Sequence, residues 1–222
     1  TSGILAAISG CTAAGGTVLL ARNSHKSAYH AVLLRGLHVH YIYPQPAGKM
    51  GINGPVTAEN VDRLLEEHPE TKMVYITSPT YDGVVSDVEQ IAEVVHRRKL
   101  PLIVDEAHGA HFPFSEQFPK DSVSCGADVV IHSVHKTLPS LTQTALIHLN
   151  GDLINREKIR YFLGVYQSSS PSYVMMAGID QCMEWVSSHR KEFDSFAQRL
   201  QEVRAELRKL QVLELLEVPG ID

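Results

Sequence analysis

The chain has 222 residues, 44% of them apolar and 20% charged, with a formal net charge of −5. That is enough apolar material for one sizeable core and excludes a disordered chain, and the acidic balance offers no basic face to a polyphosphate backbone, so nucleic acid is not an expected partner. Three widely spaced cysteines argue against a disulfide framework and fit a reducing cytoplasm, and no apolar run is long enough to span a membrane.

In chain order, Thr1-Ser2-Gly3 before Ile4-Leu5-Ala6-Ala7 reads as a helix start, where unpaired backbone N–H groups and small hydroxyl residues suit a phosphate. Apolar, β-branched runs at 17–20 and 38–43 predict strands. Thr57 starts a helix carrying Val61, Leu64 and Leu65. After a strand at 73–77, Ser86-Asp87-Val88-Glu89 has capping-box spacing and opens a helix with Ile91, Val94 and Val95 on its apolar face. Further strands are predicted at 102–104, 129–132 and 145–149. Beyond about residue 150 the strand signal fades, and 172–215 reads as long helical stretches.

Strands alternating with amphipathic helices predict an α/β fold with a mostly parallel sheet sandwiched by helices. The expected organisation is a cofactor-binding core over 1–150 and a helical remainder over 151–222. The chain begins without methionine and stops just after Pro219-Gly220, so a piece of a longer protein is expected.

Ligands of an open parallel sheet lie beyond the carboxyl ends of its strands. The segments there are Arg22-Asn23-Ser24-His25-Lys26-Ser27, Ser78-Pro79-Thr80-Tyr81-Asp82-Gly83, Asp105-Glu106-Ala107-His108-Gly109-Ala110-His111 and Ser133-Val134-His135-Lys136. Asp105 follows a buried strand, where an ionised carboxylate needs a cationic or hydrogen-bonding partner. Lys136 follows the next strand, where partial burial and cationic neighbours favour imine formation. Taken singly, each is an ordinary strand-end residue. Together they meet the needs of pyridoxal 5′-phosphate: an amine for its aldehyde and an anion for its pyridinium nitrogen.

Of the twelve histidines, His25 and His108 sit where they can stack on such a ring or bond its phenolic oxygen, and His135 where it can meet a phosphate oxygen. His30, His38, His40, His68, His96, His132, His148 and His189 are read as structural, and His111 leans the same way. Two other readings fit less of the chain. Asp105-Glu106-Ala107-His108 spells the acidic segment of DEAH-box helicases, but no Gly-x-x-x-x-Gly-Lys-Ser/Thr accompanies it. A metal site from Asp105, Glu106, His108 and His111 lacks ligand spacing, so no metal is expected.

The ordered set from Thr1-Ser2-Gly3 through the Asn-Ser-His-Lys-Ser, Ser-Pro-Thr-Tyr-Asp-Gly and Ser-Val-His-Lys segments to Ser169-Ser170-Pro171-Ser172-Tyr173 resembles the major domain of the Orn/Lys/Arg decarboxylases, which are fold type I pyridoxal-phosphate enzymes. The resemblance implies Lys136 as the Schiff-base lysine, Asp105 as partner of the pyridine nitrogen and His25 as the stacked imidazole. It implies a phosphate held by Ser2, Gly3, Ser133 and His135. It further implies a homodimer in which Ser168 reaches the neighbouring subunit's phosphate, and loss of CO2 from arginine, lysine or ornithine to give a polyamine or its precursor. His108 stands where several large family members carry tryptophan, whereas the α-oxoamine synthases share this Asp-Glu-x-His. An α-oxoamine synthase-like enzyme is therefore the alternative activity, and a catalytically silent subunit of the same fold the alternative without one.

Overall fold

The computed structural model describes residues 1–47, 49 and 51–216. Residues 217–222, the end of the expected helical remainder, lie outside the described residues. The elements are α1 (Ser2–Cys11), β1 (Thr17–Ala21), α2 (Lys26–Arg35), β2 (His38–Ile42), β3 (Pro46–Ala47), β4 (Ile52–Asn53), α3 (Ala58–Glu67), β5 (Thr71–Thr77), α4 (Val88–Arg97), β6 (Leu102–Asp105), β7 (Val129–His132), α5 (Val134–Thr137), β8 (Leu146–Leu149), α6 (Arg156–Tyr166), α7 (Tyr173–Ser188) and α8 (Arg190–Leu207).

Six strands form the main sheet in the order β2-β1-β5-β6-β7-β8, parallel except for β8, which runs antiparallel to β7. A separate two-stranded pair, β3 and β4, has no counterpart among the strands expected from the sequence.

Side chains alternate across each strand, and the two sheet faces bury different sets. Leu19, Val74, Ile76, Val104 and Val130 pack beneath α3 and α4, through Val61, Leu64, Leu65, Ile91, Val94 and Val95. Val18, Leu20, Met73, Tyr75, Ile103 and Ile131 pack beneath α1 and α2, with Ile159 of α6 in the same layer. The approach of α1 to α6 requires glycine at position 10, where a Cβ would collide with the Ile159 side chain. A third cluster joins Cys182, Val186 and Phe193 of the two long helices to Ala110, Val134 and Leu138 beside the strand-end segments.

Helix ends follow local chemistry. Thr57 caps α3 by accepting from the Asn60 N–H, and Gly36 ends α2 at φ +60, a left-handed conformation that glycine adopts without a steric penalty. The expected capping box at Ser86 is shifted by one residue. Asp87 caps α4 through the Gln90 N–H, while the Ser86 hydroxyl accepts from the buried Val56 N–H at 3.0 Å. That backbone donor would otherwise be buried without a partner, a larger penalty than an imperfect cap.

Candidate active site

The carboxyl ends of the parallel strands and the start of α5 bring the reactive side chains to one rim. Thr77 of β5 lies opposite Asp105 of β6, and Asp105 lies opposite Ile131 of β7, so Asp105 is held in the middle of the sheet. It is only 2% exposed. Its carboxylate accepts from the Tyr75 hydroxyl at 3.1 Å and from the Ala107 N–H at 3.2 Å. Burial, reinforced by Asp105, raises the Tyr75 phenol well above its ordinary range, which keeps it a donor.

Lys136 lies in α5, one turn past Ser133, and its Nζ is 3.1 Å from His108 Nε2. Burial first, then the lysine charge, lowers the His108 imidazole from its ordinary value, which favours its neutral form, whose Nε2 is placed to accept from the Lys136 amine. The remaining nitrogen, Nδ1, is buried without a hydrogen-bond partner. Tyr81 meets the His108 ring edge-on at 5.9 Å.

His25 caps α2 through Nδ1, which takes the Ser27 N–H at 3.2 Å and lies 2.9 Å from the Ser27 hydroxyl. The Ser27 hydroxyl in turn bonds Thr1 Oγ1 at 3.0 Å, tying α2 to the start of α1. Burial lowers the His25 imidazole too, against the opposing pull of Asp105. His25, Asp105, His108 and Lys136 thus lie close enough to act on one another electrostatically.

The residues expected to hold a phosphate are placed less uniformly. Ser2 and Gly3 open α1, whose first N–H groups have no intrahelical acceptor. The Ser2 hydroxyl donates to the Tyr166 carbonyl at 3.0 Å. Ser133 precedes α5 and makes no side-chain capping bond, and His135 Nδ1 bonds the Thr144 carbonyl at 2.8 Å, leaving Nε2 for another partner. Ser168 is exposed and, among the described residues, its hydroxyl bonds the Ser170 backbone, apart from the cluster.

Glu106 and His132 form a structural pair that the sequence did not reveal. Glu106, 1% exposed, accepts from the Ser122 N–H and hydroxyl and lies 2.7 Å from His132 Nε2, while His132 Nδ1 lies 3.1 Å from His148. Both Glu106 oxygens are thus engaged by Ser122 and His132 within the protein.

Beside Lys136 opens a cavity of about 480 Å³ walled by His111, Thr137, Trp185 and Phe193, with Glu192 among its lining residues. His111, which leaned structural in the sequence, packs edge-on to Phe112 and Phe118 and also faces this cavity. Tyr75 and Glu192 carried no local signal, because what gives them meaning is a neighbour on another element.

The donor set fits pyridoxal phosphate. Asp105 is a buried carboxylate whose hydrogen-bond partners are both neutral, which leaves a protonated ring nitrogen the ion it lacks, and an amine waits at the next strand end.

Comparison with known proteins agrees. The model of the Orn/Lys/Arg decarboxylase major domain matches residues 1–220. The chain is 41% identical over 84% of its length to an uncharacterized Bacillus subtilis protein, YaaO, and 34% identical over 75% of its length to the arginine decarboxylase of the same organism. It spans 39% and 34% of those relatives. Among solved structures, the constitutive lysine decarboxylase of E. coli superposes with a TM-score of 0.72 at 22% identity, over 95% of this chain and 31% of that one. The fold is that of fold type I pyridoxal-phosphate enzymes.

Proposed function

Because this chain belongs to the Orn/Lys/Arg decarboxylase family, whose members and fold relatives depend on pyridoxal phosphate, we propose that it carries the cofactor site of a decarboxylase acting on arginine, lysine or ornithine. The observation that carries the proposal is Lys136 Nζ held against neutral His108, on the rim where Asp105 is buried with no cationic hydrogen-bond partner among the described residues. When bound, the cofactor supplies an aldehyde for the amine and an aromatic ring that takes up the electron pair left by the departing carboxylate.

The chain's own groups have separate tasks. Asp105, fixed by Tyr75 and Ala107, holds the ring nitrogen protonated. His25, its Nδ1 anchored by Ser27, would supply the imidazole that stacks on the ring. The N–H groups of Ser2 and Gly3, with Ser133 and His135, hold the phosphate. Lys136 and His108, 3.1 Å apart, are the groups that would move a proton at the rim and supply one to the substrate carbon once CO2 had left. The proposed assembly is a cytoplasmic homodimer in which Ser168 reaches the partner's phosphate, and the amine product is a polyamine precursor. Among the described residues no helix is long and apolar enough to cross a membrane.

The test uses the intact protein. Borohydride should abolish a visible cofactor band and leave pyridoxyl mass on the Lys136 peptide, and Lys136→Ala should lose both band and label. CO2 should be released from at least one of the three basic amino acids; release from none overturns the decarboxylase reading. His108 gives the α-oxoamine synthase reading its foothold, and coenzyme A release from an acyl thioester plus an amino acid would establish that reading instead.

A further inference from the structure

His40, His68 and Glu70 bring three donor atoms together far from the cofactor rim. His40 lies on β2, the edge strand of the sheet, and Glu70 immediately precedes β5, at the amino end of the sheet opposite Lys136. His68 terminates α3, and the Thr71 N–H bonds back to its carbonyl at 3.1 Å, fixing a tight turn between α3 and β5. The parallel pairing of β1 with both β2 and β5 sets β2 and the turn side by side.

The carboxylate oxygen Glu70 Oε1 lies 3.1 Å from His40 Nε2 and 3.8 Å from His68 Nδ1. The first separation suits a hydrogen bond; the second is too long for one. Four ligands bound at about 2.0–2.1 Å in a tetrahedron are separated by roughly 3.3 Å; the two carboxylate–imidazole separations bracket that value, and the three donor atoms all lie within 4.8 Å of one another, so they need to draw together around an ion. Among the described residues this is the one group of three potential ligands with donor atoms so gathered. The two imidazoles lie nearly parallel, with centroids 3.3 Å apart, so a shared ion requires a ring to tilt, which the half-exposed side chains leave room for.

We propose that His40, His68 and Glu70 form a surface site for one divalent transition-metal ion of the zinc class, clamping the edge strand β2 to the α3–β5 turn, with solvent in the remaining position. Two imidazoles and one carboxylate favour zinc, cobalt, nickel or copper over magnesium or calcium. The site shares no residue with the cofactor rim, so it stands or falls independently of the decarboxylase reading.

The intact protein, treated with borohydride to block metal uptake by the cofactor and then stripped with a chelator, is titrated with Co²⁺ and then Zn²⁺. The expected result is one saturable Co²⁺ site with the intense d–d absorption of four-coordinate cobalt, displaced by Zn²⁺, with a Zn²⁺-dependent rise in the unfolding midpoint. Loss of even an outer-shell partner weakens metal sites about tenfold or more, so His40→Ala and His68→Ala should each cost at least that, and Glu70→Gln should also weaken binding. His38→Ala, on the same strand but outside the trio, should leave the affinity unchanged. Absence of saturable binding, or binding undiminished in both histidine variants, would overturn the proposal.

Discussion

Glu192 illustrates how a residue acquires a function from its surroundings. In the sequence it is one more acid in a charged helix, whereas in the fold it lines the cavity beside Lys136 with Trp185 and Phe193. An apolar passage carrying one anion suits the methylene chain and distal cation of a basic amino acid. Since the carboxylate is solvent-exposed, its contribution is modest. Glu192→Gln should raise KM for the preferred basic substrate several-fold, about 1 kcal/mol, with kcat little changed, the pattern of an interaction made equally in ground and transition states. An unchanged KM with normal cofactor content would remove Glu192 from the substrate site.

His111, on the same cavity, makes a prediction in pH. Burial, with a smaller contribution from His132, lowers its imidazole to about 4. The unfolded chain takes up this proton from about pH 6.5 downward while the folded chain refuses it, so stability is lost as the pH falls from about 6.5 to about 4 and this loss stops below. Allowing for partial exposure, the loss is on the order of 1–2 kcal/mol. In His111→Gln, the difference between urea midpoints at about pH 7 and about pH 5 should shrink. A difference as large as in the unsubstituted protein would place the acid sensitivity elsewhere.

At the scale of elements, the rim depends on how firmly β6 is tied to β7, because one ends in Asp105 and the other leads into Lys136. Ladder hydrogen bonds set their register, and the Glu106–His132 contact at 2.7 Å locks their ends together from within the protein. His132→Ala would strand Glu106 in the interior with only Ser122 for a partner, at a cost of about 3–5 kcal/mol. His148→Ala, at the outer end of the same chain, should cost about 1 kcal/mol. Denaturant midpoints distinguish the two, and equal small losses would show that the pair does not secure the rim. Capping at α4 shows a limit of local reading. Spacing pointed to Ser86, but its hydroxyl is needed by Val56, thirty residues away in sequence.

At the scale of the whole molecule, the start of α7 is unusual for a protein surface. Tyr173 and Val174 are 77% and 71% exposed, and Met176 is exposed beside them. Apolar groups gathered in this way mark an interaction surface, and they follow directly on the loop that carries Ser168. The homodimer proposed above would use this face, which adjoins the loop of Ser168. Val174→Asp should accordingly shift the intact protein from dimer to monomer in sedimentation velocity and reduce cofactor content with it. A dimer unaffected by the substitution would assign this face to something else.

The fold class, all six strands of the main sheet and the segments that reach the rim were legible in the sequence, because continuous apolar, β-branched runs and the residues that follow them are local patterns. Lys136, Asp105, His25 and His108 stand out because each follows a recognisable strand or opens a helix, and the geometry gathers them as that placement implies. The partners were not legible. Tyr75 under Asp105, His132 against Glu106, Glu192 facing the Lys136 cavity, and the meeting of His40, His68 and Glu70 all join residues on different elements, and the distances that give them chemistry exist only once the sheet has been assembled. Sequence alone determined the order and type of the elements and which segments follow each strand, since apolar runs and helical periodicity are local signals. Tertiary structure alone decided what each of those segments touches at the rim, since hydrogen bonding and burial depend on neighbours that chain order does not specify.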